Sequence, residues 1–246
     1  MADRIDAHHH LWRYSKQEYD WIGADMETIA RDFTATDLQA ELALREISGS
    51  IVVQACQTFR ETEWLLNLAA GSPLIRGVVG WAPITDRSFP DVLETLKGNE
   101  KLKGLRHVIQ AEPDDDFILR SDFNAGIRAF AGSGLVYDIL IYEYHLSRAI
   151  KFVDLHPNQT FVLDHLAKPR IKERLLEPWR TNLFELAKRE NVYCKLSGMV
   201  TEADWNNWSA FDLRPFADVL RRLADGYQSK AILSLVNDCL QRTQAS

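Results

Sequence analysis

Near its start the sequence carries Asp6-Ala7-His8-His9-His10-Leu11-Trp12. Along a β-strand, residues two apart share a face, so His8 and His10 project together with Cα atoms roughly 6–7 Å apart. Imidazole is a common ligand for Zn²⁺ and similar ions, and two on one face suit one cation. A chance histidine run is the plain alternative. A second feature is the apolar run 161–163, which leads through Asp164 to His165, Leu166, Ala167, Lys168 and Pro169. A histidine at a strand end is either a catalytic group or a satisfied structural one. Arg106 sits inside the apolar run 103–110. Its planar fork suits a carboxylate, whether a ligand's or that of a neighbouring acid. In 193–198, alternation puts Tyr193, Lys195 and Ser197 on one face, where Lys195 contacts a ligand or closes an ion pair. No GxSxG elbow or phosphate-binding P-loop occurs in the sequence.

Positioning such groups requires strands whose ends meet. Short runs rich in Val, Ile, Leu, Tyr and Phe fall at 5–9, 50–55, 75–81, 103–109, 135–141, 160–166 and 192–196. Helical patterns follow at 61–70, 91–97, 122–131, 146–155, 172–190 and 213–224. Near-continuous apolar strands alternating with helices indicate a parallel sheet covered on both faces. Seven such units are one short of a closed eight-stranded α/β barrel, whose chemistry sits at the C-terminal strand ends. The doubly wound open sheet is the competing architecture, and it lacks its GxGxxG signature here. The connection 11–36, rich in Trp, Tyr and Asp, is long enough to cover a site. Trp64, Trp81, Trp179, Trp205 and Trp208 are read as packing residues.

The 246 residues carry a net charge of −6, with 46% hydrophobic and 26% charged side chains. This excludes a disordered or low-complexity chain and argues against a general nucleic-acid binder. Three cysteines without paired spacing argue for a reducing compartment. No signal-peptide pattern and no apolar run of membrane-spanning length occur, so the expectation is a cytoplasmic protein with no membrane partner. No Pro/Gly/Ser-rich linker divides the chain, and residues 1–246 are read as one domain.

The ordered segments IDAHHHLW, VVQACQTFRETEWLLNLA, GVVGWAPI, GLRHVIQAEPDDDFILR, FVLDHLAKP and VYCKLSGMVTEADW resemble the amidohydrolase-related family. Within it they resemble the sugar-lactonase branch of fuconolactonase-like and rhamnonolactonase-like enzymes. The resemblance runs from about residue 5 to 224. It implies a distorted TIM-like (β/α) barrel that opens a small sugar-acid lactone by C–O hydrolysis. His8 and His10 match the family's first-strand pair and are the implied metal ligands. His165 matches the strand-six histidine and is the implied catalytic residue. Arg106 matches a strand-four arginine and is the implied substrate contact, with Trp12 and Lys195 as further candidate substrate contacts. One divalent metal, Zn or Mn, is the implied cofactor, although some relatives work without one. The implied partner is the lactone itself.

The family's eighth strand, ending in a GSDWP-like motif with a water-activating aspartate, has no counterpart after Ala224. The expectation is a barrel lacking that strand, shortened from about residue 225. Ile232, Leu235, Val236, Cys239 and Leu240 fall at helical spacing and resemble the helix that follows strand eight. Alternatively 231–236 forms a substitute strand and Asp238 replaces the missing base. The seam beside strand one is then expected either to stay open to water beside the histidines or to be filled by a substitute segment or another chain, a homo-oligomer in the latter case. The functional alternatives are a catalytically impaired ligand-binding variant and a decarboxylase-type relative.

Overall fold

The computed structural model describes residues 4–226. The expectations for 231–240, including Asp238, lie outside them. The described residues contain seven strands, ordered in one sheet as they occur along the chain, β1 to β7. This is the strand–helix series of the TIM-like barrel read from the sequence. The described residues divide into two compact units, one of 4–108 with Ser121–Asp138 and one of Ile109–Arg120 with 139–226.

The first unit holds β1 (Ile5–His9), α1 (Ala35–Leu44), β2 (Gly49–Val53), α2 (Phe59–Gly71), β3 (Ile75–Gly80), α3 (Phe89–Leu96), β4 (Leu102–His107) and α4 (Ser121–Phe130). Strands β1 to β4 pair in parallel. Their runs are short and apolar because both faces are covered. Val52, Leu65, Ile75, Val78, Phe89, Leu105, Phe123 and Phe130 are fully buried. Close backbone approach fixes α4, where a Cβ on Gly126 would lie 2.1 Å from the Ile84 carbonyl oxygen.

The long connection after β1 folds back on itself. Trp12 and Phe33 exchange backbone hydrogen bonds of 3.1 and 3.0 Å, and Trp12, Tyr19 and Ile22 form a small buried cluster. Glu61, near the start of α2, ties this segment down. Its carboxylate accepts from the Ala55 and Cys56 backbone N–H groups at 3.0 and 2.8 Å and from the Tyr19 hydroxyl at 3.2 Å.

β5 (Val136–Ile139) runs from the first unit into the second. The second unit continues with α5 (Leu146–Asp154), β6 (Phe161–Leu163), α6 (Trp179–Leu186), β7 (Val192–Cys194) and α7 (Ala210–Gly226). β6 and β7 pair in parallel. Its core gathers Leu146, Phe152, Phe161, Leu163, Leu166 and Trp179.

Three expectations need correction. α1 was not anticipated; only Leu42 of its residues is buried, so it leaves no strong apolar stripe. The helix expected over 172–190 is confined to Trp179–Leu186, because Pro169, Pro178 and the positive φ of Arg174 (57°) hold the preceding stretch in turns. Trp205 and Trp208 are exposed rather than packed inside, while Trp179 is buried as expected. Among the described residues no helix is long and apolar enough to cross a membrane.

Candidate functional site

In the first unit, polar groups gather at the end of β1. A bulge between Asp6 and His9 places three steps of β1 against two of β2. The Asp6 side chain accepts from the His8 backbone N–H at 3.0 Å. His10 lies one residue beyond the strand, and its Nε2 sits 3.1 Å from His8 Nε2. His10 Nδ1 lies 2.8 Å from the Val53 carbonyl oxygen. A carbonyl only accepts, so Nδ1 carries the proton and Nε2 the lone pair. Burial first, and the Arg106 charge second, hold His10 well below the usual imidazole value, so this ring is neutral. His9 points elsewhere, to the Ser50 hydroxyl, and burial lowers it to about 4.

Arg106 is buried on β4, where its Nη2 donates to the Gln54 carbonyl and side-chain oxygens at the end of β2. Trp12 is buried with its indole N–H donated to the Arg31 carbonyl at 2.8 Å. Its ring centroid is 6.4 Å from that of His10.

In the second unit the chain leaves β6 through a turn of unusual hand. His165, Leu166, Ala167 and Lys168 have φ of 50°, 59°, 56° and 50°. Left-handed backbone costs a non-glycine residue roughly 1–2 kcal/mol. Strain of this kind survives only where the surroundings over-determine it. Here Leu166 and Ala167 are fully buried, and Trp179 donates its indole N–H to the Leu166 carbonyl at 2.7 Å. The Lys168 N–H closes the turn on the His165 carbonyl at 2.8 Å.

His165 is held from two sides. Its Nδ1 lies 2.8 Å from the Ser197 hydroxyl. Gly198, with φ 73°, packs so tightly that an added Cβ would lie 2.7 Å from His165 Cβ. Beside it, Asp164 is fully buried and pairs with Lys195 Nζ at 2.9 Å. β7 ends at Cys194, so Lys195 and Ser197 follow the strand rather than alternate along it.

Comparison with known proteins gives this arrangement a context. The Amidohydrolase family profile matches residues 5–227. The chain belongs to the amidohydrolase family. It is 37% identical over 239 residues to an L-fucono-1,5-lactonase of Burkholderia multivorans, covering 94% of this chain and 80% of that protein. It is 34% identical over 203 residues to an L-fucono-1,5-lactonase of Burkholderia ambifaria, covering 82% of this chain and 70% of that one. An amidohydrolase of Burkholderia multivorans crystallised with bound zinc superposes with a TM-score of 0.86 at 38% identity, over 91% of this chain and 80% of that one.

The His8–His10 spacing in the first unit is of the size that two nitrogens on one cation take. Two nitrogens bound tetrahedrally to Zn²⁺ at about 2.0–2.1 Å stand about 3.3 Å apart. The two Nε2 atoms are 3.1 Å apart. The Val53 carbonyl orients His10 as outer groups orient metal-binding histidines. A tautomer of His8 with its proton on Nδ1 leaves both Nε2 atoms with a lone pair.

Sequence reasoning placed these groups near strand ends but missed several supporting residues. Asp164 was signalled by its position immediately before His165, and Ser197-Gly198 by the Lys-Leu-Ser-Gly run after β7. Gln54, the partner of Arg106, had only its polarity at the end of an apolar strand to announce it.

Proposed function

We propose that this amidohydrolase hydrolyses the ester bond of a small sugar-acid lactone, with a deoxyhexono-1,5-lactone as the preferred class. The observation that carries this reading is the 34–37% identity to two L-fucono-1,5-lactonases over most of the chain. The local geometry supports it without depending on it.

His8 and His10 are the residues that would hold a divalent metal. Such an ion supplies Lewis acidity and lowers the pKa of bound water when present. The chain's own residues have separate tasks. His165, fixed by Ser197 and Gly198, transfers a proton during C–O cleavage or stabilises the oxyanion that forms at the lactone carbonyl. Trp12, Arg106 and Lys195 are assigned to substrate contact. Arg106 reaches this task already oriented by Gln54, and Lys195 already oriented by Asp164. Water adds to the acyl carbon, the ring C–O bond breaks, and the ring oxygen leaves as a hydroxyl after protonation. The product is the open-chain sugar acid.

A pH-indicator assay across 1,4- and 1,5-aldonolactones tests the reading. Acid release well above the uncatalysed rate is expected, greatest with L-fucono-1,5-lactone. Release at the background rate for every lactone would overturn it.

A further inference from the structure

The second unit contains a cavity of about 710 Å³, formed by the loops that follow β5, β6 and β7. That volume lies in the range of small-ligand sites. Two exposed aromatic rings stand in its lining. Trp205 is 58% exposed, yet its indole N–H is donated to the Thr201 carbonyl at 2.9 Å, which fixes the ring plane. Tyr144 is 49% exposed and stacks on Tyr142 with centroids 5.7 Å apart and planes 20° apart. Lys168 Nζ lies 5.2 Å from the centre of the Tyr142 ring. Glu202 is half-buried, and burial raises its carboxyl above the usual range, an effect that the Lys168 charge opposes.

Pinned, exposed aromatic rings lose little entropy on binding and offer flat apolar surface. Pyranose-like rings present C–H groups on their faces and hydroxyls around their rims. An ammonium only donates and a carboxylate only accepts, while a hydroxyl does both. Lys168 and Glu202 together therefore match a vicinal diol. The lining carries three cationic and four acidic side chains, a mixture that disfavours a polyanion such as a nucleotide. Lys168 is also the last residue of the left-handed turn that begins at His165. One rigid segment thus sets both the proposed reactive imidazole and a group of this cleft.

From this geometry we propose that the cleft receives the hydroxyl-bearing edge of the lactone ring, away from its carbonyl, with Trp205 and Tyr144 as stacking surfaces and Lys168 and Glu202 as hydroxyl partners. Lys168 and Glu202 set specificity for polyhydroxylated over plain lactones. The proposal rests on the lactonase reading and names where that substrate's hydroxyls are recognised.

The test compares L-fucono-1,5-lactone with δ-valerolactone, the same six-membered ring without hydroxyls, in the wild type, Trp205→Ala, Trp205→Phe and Lys168→Gln. KM for the hydroxylated lactone is expected to rise about tenfold or more in Lys168→Gln, with kcat/KM for δ-valerolactone within about twofold of wild type, whereas Trp205→Ala removes a stacking face that both rings use and weakens both, and Trp205→Phe largely restores both. Equal losses on both substrates in Lys168→Gln, or no change on either substrate in Lys168→Gln and Trp205→Ala, would overturn the cleft assignment and leave the lactonase reading standing. Should wild type hydrolyse neither lactone, the lactonase reading falls, and calorimetric titration with L-fucose, which keeps the hydroxylated six-membered ring, decides the cleft. Binding weakened by Trp205→Ala then supports it, and binding that is absent or unaltered overturns it.

Discussion

The Nε2 atoms of His8 and His10 face each other across 3.1 Å, and the Val53 carbonyl fixes the tautomer of His10 from behind. The bulge in β1 and the neutrality of the buried His10 ring would suit the two-nitrogen chelate proposed for this pair. Replacing either ring by alanine is expected to weaken zinc binding by more than the 10–100-fold typical of changes to outer groups. Competition against a chromogenic chelator measures this. Zinc affinity unchanged in both His8→Ala and His10→Ala would remove the pair from any metal site.

Gly198 leaves no room beside His165. Alanine there meets His165 Cβ at 2.7 Å and must also adopt a φ of 73°. Gly198→Ala is expected to cost about 1–3 kcal/mol in denaturant unfolding. Ser197→Ala keeps the backbone and removes only the His165 Nδ1 partner. It is expected to leave stability within about 1 kcal/mol while lowering kcat. A Ser197→Ala variant with unaltered kcat would show that His165 needs no such orientation.

The Asp164–Lys195 pair is buried on both sides, with side-chain exposures of 0% and 11%. Removing one partner leaves a charge in a poorly solvating site. Lys195→Met is therefore expected to destabilise the chain by about 3–5 kcal/mol. Urea unfolding would read this directly, and a loss below about 1 kcal/mol would contradict the pairing.

Glu61 makes stability depend on pH. Burial is the largest cause that raises its carboxyl from 4.5 to about 7, against the hydrogen bonds donated by Cys56, Ala55 and Tyr19. The folded state thus holds a proton that the unfolded state has released between pH 4.5 and 7. Stability must fall as pH rises through that window, by on the order of 3 kcal/mol, and level off above it. Glu61→Gln is expected to flatten this part of the curve. A wild-type profile that rises from Glu61 titration, or a variant profile of unchanged slope, would contradict the assignment.

Much of the fold was legible because buried parallel strands announce themselves as short apolar runs. The first was read at 5–9 and forms at Ile5–His9. Strand ends were less legible. The run 160–166 stops as a strand at Leu163, because the left-handed turn from His165 to Lys168 contains no glycine or asparagine to betray it. That conformation is imposed by the burial of Leu166 and Ala167 and by the Trp179 hydrogen bond, all of them tertiary. Helix α1 had a local signal, the Thr34–Asp37 capping box, but little amphipathic pattern behind it. For the candidate site, residue type and spacing singled out His8, His10 and His165. The sequence left Lys195 between a ligand and an ion pair, and its pairing with Asp164 emerges only from the folded chain. The exposed face of Trp205 was likewise invisible, since tryptophan is more often read as core.

The central claim is lactone hydrolysis that depends on His165. It is tested most directly by kcat/KM for L-fucono-1,5-lactone in wild type and His165→Ala, each shown to be folded by circular dichroism. Wild-type turnover well above the uncatalysed rate, reduced about 10²–10⁴-fold by the substitution, is the predicted result. A wild type no faster than buffer, or a His165→Ala variant as fast as wild type, would contradict it.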